Sequence, residues 1–162
     1  NRFTSINIKK ILKPFLFNPK TISKNIRIYK WYYICGDKIY INWHNKDSMK
    51  NSFDLFLEND FKTYDVSLVN LFYHQKVNIT NKQLREIFKR ENLYPIIKAL
   101  YKADKLSLII PPFKQIENLA QFDGYHQYPV DIHSIKTLYN LENIRYQNIK
   151  ELFCNLNKKE KQ

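Results

Sequence analysis

Gln121-Phe122-Asp123-Gly124-Tyr125-His126-Gln127-Tyr128-Pro129-Val130-Asp131-Ile132-His133-Ser134 gathers two histidines, two aspartates and two tyrosines into fourteen residues. The whole chain has four histidines and two glycines, so half of each lie here. Nowhere else are groups able to bind metal or move protons so dense. The stretch runs directly into an apolar periodic segment. Pro129 suits the first position of a helix, where a missing N–H costs nothing. Val130, His133, Thr137, Leu138 and Leu141 then recur at helical spacing and are expected to share a face. A chemically loaded loop opening a helix is the expected local structure.

Working outward, Ile144 to about Leu156 reads as another helix, with Ile149, Leu152 and Phe153 apolar. Upstream, Pro111-Pro112 ends an apolar segment, and a short helix with Phe113, Ile116 and Leu119 leads into the loop. Pro95 is expected to start or kink a helix carrying Ile96, Ile97 and Leu100. Thr80-Asn81-Lys82-Gln83 fits a capping box, followed by Leu84, Ile87 and Phe88. Asp65 or Thr63 can start a helix that offers Val66, Val69, Leu71, Phe72 and Tyr73 for burial. Ser48 can cap another through about Asn59, with Phe53, Phe56 and Leu57 inward. Residues 26–43 alternate around Gly36-Asp37 and predict a β-hairpin. Ile6, Ile8, Ile11, Leu12, Phe15 and Leu16 suggest a short helix near the start. The expected fold class is therefore mainly α, a helical bundle with one small β-hairpin near the N-terminus.

Composition bounds the function classes. A chain of 162 residues with 44% hydrophobic and 15% aromatic content can fill a core. The net charge of +12 invites a nucleic-acid reading. However, the cations are mostly lysines dispersed along the chain, which makes a general positive field and not a readout surface. Cys35 and Cys154 are distant and form no Cys-x-x-Cys, which points to a reducing cytoplasm. No uninterrupted apolar run approaches membrane-spanning length, so no membrane partner is expected. No signal-peptide pattern opens the chain, and Asn1 reads as a position inside a longer product.

The signature resembles the run Q-x-D-x-[FY]-H-x-Y-T-V-D-x-H that opens the HD phosphohydrolase domain of the PII uridylyltransferase/uridylyl-removing enzymes. Pro129 departs from it, standing where the family usually has Thr. The likeness extends more weakly upstream. Tyr33-Ile34-Cys35-Gly36-Asp37-Lys38-Ile39 looks like the hairpin of that family's connector, with Gly and Asp exchanged. Leu68-Val69-Asn70-Leu71-Phe72 and Ile79-Thr80 look like its helices, and Ile109-Ile110-Pro111-Pro112-Phe113 like its lead-in. The resemblance covers about residues 30–156, and its specific part is Ile109 to Leu141. It implies a domain division of 1–47 (segment with hairpin), 48–108 (helical connector) and 109–162 (first helices of an incomplete HD-like domain).

The resemblance also implies chemistry. HD phosphohydrolases hold a divalent metal, Mg or Mn, that polarises a phosphoryl oxygen and generates hydroxide near neutral pH. Such a site needs a first His, a His-Asp pair on a second helix and a later Asp. His133 matches the first His. His126, the catalytic candidate, and Tyr128 precede the helix and are placed to contact substrate phosphate or the surroundings of the metal. Asp131 is a candidate for orienting the site indirectly, although positions i and i+2 of a helix do not share a face. No His-Asp pair occurs in the chain, so the metal is expected in a full-length parent and not in this piece. The Gly-Ser turn and Asp-x-Asp pair of the nucleotidyltransferase domain are missing as well. Implied partners are a PII-type signalling protein and the remaining domains of the parent.

Three readings stay open. The chain is a silent fragment of a uridylyltransferase/phosphohydrolase, a non-catalytic regulatory or interaction module on the same scaffold, or a basic nucleic-acid-binding domain. His44 and His74 read as ordinary boundary residues. The aromatics Trp31, Tyr32, Tyr33, Tyr40 and Trp43 read as a hairpin face packed on helices, with base stacking the alternative.

Overall fold

The computed structural model describes residues 26–44, 52–120 and 127–156. The helix expected in the first residues, the Ser48 cap and His126 lie outside them.

Alternating apolar residues build the sheet. Strand β1 (Ile26–Ile28) pairs antiparallel with β2 (Tyr32–Cys35), which pairs antiparallel with β3 (Lys38–Ile41). Gly36 holds φ +58° at the first turn residue between β2 and β3. A side chain there would meet open space, so the need for glycine is conformational and not steric. Trp31, Tyr32 and Tyr33 are buried, and Tyr33 stacks across the strands on Tyr40 at 4.5 Å. The aromatic cluster is thus mostly core. A fourth strand, β4 (Thr63–Tyr64), runs parallel to β3. It occupies residues considered as a helix start. The Asp37 carbonyl accepts from Lys62 and Thr63 N–H at 2.9 and 3.0 Å. A hairpin was expected, and a four-stranded sheet is found.

Seven α-helices stand among the described residues. Helix α1 (Ser52–Glu58) buries Phe53, Leu55 and Phe56, leaving Leu57 exposed instead of inward. Helix α2 (Val66–His74) is capped by Asp65, whose carboxylate accepts from Ser67 N–H at 3.0 Å. It buries Leu68, Leu71 and Phe72, while Val66 and Tyr73 stay exposed. Helix α3 (Asn81–Phe88) has the expected capping box of Thr80 and Gln83 in full. Helix α4 (Tyr94–Lys102) carries Pro95 in its first turn, in keeping with the expected helix start, and buries Ile96, Ile97, Ala99 and Leu100. A short α5 (Leu106–Ile109) and a 3-10 turn (Pro111–Gln115) follow. Helices α6 (Val130–Glu142) and α7 (Gln147–Asn155) complete the described chain.

One hydrophobic cluster runs from Trp31 through the helices to Ile135. The mainly α expectation holds, with the small sheet near the N-terminus. None of the described helices is long and apolar enough to cross a membrane.

Candidate functional site

The signature helix α6 is turned differently from the sequence pattern. Asp131 and Ile135 are its buried residues, and Leu138 packs partly against the core. Of the residues expected to share a face, Val130 and Leu138 are half-buried, whereas His133, Thr137 and Leu141 are exposed. The error has a physical cause: a charged residue, Asp131, occupies the inward position, which an apolar periodicity count passes over. Pro129 also sits one place earlier than expected, at the N-cap with φ −52° and ψ 154°. It offers no side-chain cap to the helix.

Asp131 replaces that cap with tertiary bonds. Its Oδ2 accepts from the Tyr101 hydroxyl at 2.9 Å and from Asn118 N–H at 3.0 Å. Its Oδ1 accepts from Ile132 N–H at 2.8 Å. The side chain is only 1% exposed, so the carboxylate depends on these donors. Burial pushes its pKa up, but the donors outweigh burial and hold it below the usual aspartate range. Burial, then the bond to Asp131, push the Tyr101 phenol up to about 12, so it remains a donor.

These contacts join the chain before the signature to the start of α6. Val130 N–H donates to the Leu119 carbonyl at 2.9 Å, beside the Asn118–Asp131 bond. Asn118 takes a left-handed φ of 56°, which aims its N–H at the carboxylate; Asn tolerates that region better than most residues. The described residues on either side of positions 121–126 are therefore tied together. A cleft of about 220 Å³ lies at this junction, lined by Tyr101, Lys102, Asp104, Leu106, Glu117, Asn118 and Asp131. Glu117 is engaged by Lys114 at 2.6 Å.

His133 stands on the outer face of the first turns of α6, with Thr137 Oγ1 3.4 Å from its Nδ1. The structure thus separates Asp131 from His133, one inside and one outside. Among the described residues no three His, Cys, Asp or Glu are grouped so as to hold a metal ion. With Asp131 committed to three donors, the described residues do not form a metal centre. Sequence reasoning missed Tyr101, Asn118 and Lys102 as neighbours of the signature. An odd clue was available: a carboxylate on a helix otherwise poor in acids, adjoining a loop.

The other end of α6 is equally tied. Glu142 Oε1 accepts from Leu93 and Tyr94 N–H at 2.7 and 2.8 Å, capping α4 from another helix. Burial raises the Glu142 pKa, and the two N–H groups work against that rise.

Two curated proteins match part of this chain. The bifunctional uridylyltransferase/uridylyl-removing enzyme of Ruegeria pomeroyi (strain ATCC 700808 / DSM 15171 / DSS-3) is 35% identical over 69 residues, covering 40% of this chain and 8% of that enzyme. The enzyme of the same name from Rhodopseudomonas palustris (strain ATCC BAA-98 / CGA009) is 33% identical over 64 residues, covering 40% of this chain and 7% of that enzyme. The matches support a distant relationship to these enzymes. The matched stretch spans less than a tenth of the length of either relative. No family model matches the chain, and no solved structure does.

Proposed function

We propose that this chain is the connector and opening helices of the phosphohydrolase half of an enzyme of the uridylyltransferase/uridylyl-removing type. The observation that carries it is the setting of α6. Asp131 is drawn inward and clamps the helix start, which leaves His133 on the outer face of α6. Residues 48–108 act as connector, and 109–162 begin an HD-like domain. In the whole enzyme His133 supplies one imidazole to a divalent metal whose other ligands come from beyond the described residues. His126 contacts the substrate phosphate, and Asp131 positions the helix without touching substrate. The proposed substrate is a uridylylated PII-type protein. By itself the chain is catalytically silent.

The test starts from the native gene product. Its mass is measured in the source organism, and its sequence is read for a His-Asp pair after Gln162. In a longer product, H133A should abolish uridylyl removal and spare uridylyl transfer. A native product of about this length, or an H133A enzyme that still removes UMP at the wild-type rate, overturns the reading.

One observation favours the second reading, a non-catalytic interaction module. Pro129 occupies an N-cap position where a threonine hydroxyl could accept from the first turn, so the signature has diverged at a structural position. Metal binding by the longer product would count against this alternative.

A further inference from the structure

Helices α4 and α6 pack antiparallel. Tyr94 meets Tyr139 at one end (ring centroids 4.9 Å apart), and Tyr101 meets Asp131 at the other. Lys98 lies between these contacts on α4, and Lys136 lies between them on α6. Lys102 follows Lys98 by four residues, on the same side of α4. Each ammonium rests on an aromatic ring. Lys98 Nζ is 5.4 Å from the Tyr101 centroid, Lys102 Nζ 6.0 Å from Tyr64, and Lys136 Nζ 3.4 Å from Tyr128. Among the described residues, none of the three lysines is in a salt bridge. Lys102 and Lys136 are exposed and Lys98 is half-buried.

Lys98 and Lys136 face each other across the seam, with Lys102 at its edge over Tyr64; the three ammonium groups repel each other, and the ring faces, with Asp104, Glu117 and Asp131 in the cleft beside Lys102, offset only part of that repulsion. We propose that the α4–α6 seam, through Lys98, Lys102 and Lys136, binds a phosphoryl anion. A carboxylate would neutralise one ammonium. A phosphoryl dianion carries enough charge and enough oxygens to meet several. Lysines suit it, since each is a compact charge on a flexible stem that needs no fixed fork geometry. Tyr128 is partly exposed at the edge of the patch and offers a ring face to a base. The source of the phosphoryl group is either free phosphate or a mononucleotide.

The electrostatics agree with this placement. Burial, then Lys102 and Lys136, hold Lys98 below the usual lysine range, with Asp131 acting in the opposite sense. An anion on the seam reverses that depression, so binding at alkaline pH should take up a proton.

The experiment is calorimetric titration of the chain with inorganic phosphate, pyrophosphate and a nucleoside monophosphate at about 50 mM salt, where exposed charges are still weakly screened. Saturable binding is expected, weakened by about tenfold or more in K98Q/K136Q and kept in the charge-preserving K98R/K136R. K150Q on α7 serves as a control and should bind as wild type. Melting curves establish that each variant folds. A mononucleotide preference that Y128A removes marks a nucleotide site, whereas equal affinities mark a free-phosphate site. Heats in two buffers at alkaline pH report the proton uptake. The proposal is overturned if no small phosphate saturates the chain, if K98Q/K136Q binds as well as wild type, or if only a polynucleotide binds.

Discussion

Asp131 shows how one side chain can hold a helix in place. It receives three hydrogen bonds in a site almost closed to water. Replacing it with Asn keeps the shape but removes the charge and turns one oxygen into a donor, which must face an N–H or hydroxyl that already donates. D131N should therefore lower stability by ~2–3 kcal/mol, the cost of leaving buried partners unmatched, read from urea unfolding at neutral pH. The pH dependence has a definite sign. The native carboxyl titrates below its ordinary value of 3.8, so its stabilising effect is fully present above that value. It is lost as pH falls through the lower native value. The gap between wild type and D131N should accordingly narrow below about pH 4. A gap that stays constant to pH 2.5 would show that the charge has no part in the clamp. The spacing of Asp131 and His133 already placed them on different faces, and the structure bears that geometry out. Nothing local to Asp131 named Tyr101 or Asn118 as its donors.

Among the elements, α6 separates what periodicity can say from what it cannot. A helix was legible from Pro129 and the apolar spacing that follows. Its phase was not, because Ile135 and Leu138 compete with Leu141 for the inward position and Asp131 breaks the apolar count. The two phases differ in a measurable way. I135A should cost ~2–4 kcal/mol through lost burial and a residual cavity, whereas L141A should change stability by less than about 0.5 kcal/mol. The reverse order in thermal melts would restore the face expected from sequence. Strand β4 was illegible for another reason. Two residues have no period, and Thr63–Tyr64 are a strand only because Asp37 and Ile39 present carbonyls to that stretch. The capping box at Thr80 was legible because both of its bonds close within four residues.

Across the whole molecule, packing is uneven. The core joins the sheet to α1 through α4, and α6 reaches it mainly through Ile135. Helix α7 buries no residue, and Tyr146, Ile149, Leu152 and Leu156 are exposed along it. Short helices without tertiary burial are marginal in water. Amides of α7 should therefore exchange at least about a hundredfold faster than those of α4 when hydrogen exchange is followed by mass spectrometry. Equal protection in the two helices would mean that α7 is held by contacts of another kind.

What could be read from the chain alone is what short-range chemistry enforces: helices at 3.6-residue spacing, a glycine turn, a capping box, and a loop crowded with histidines, aspartates and tyrosines. These depend on atoms a few residues apart, so their signals survive without a fold. The inward turn of Asp131, the cap that Glu142 lends to α4, strand β4 and the pairing that sets Lys98 opposite Lys136 depend on segments far apart in sequence. Each exists only once α4 and α6, or β3 and β4, lie side by side. Hydrophobic burial brings them there without regard to the polar groups it carries along, and those groups then find partners that no local pattern names.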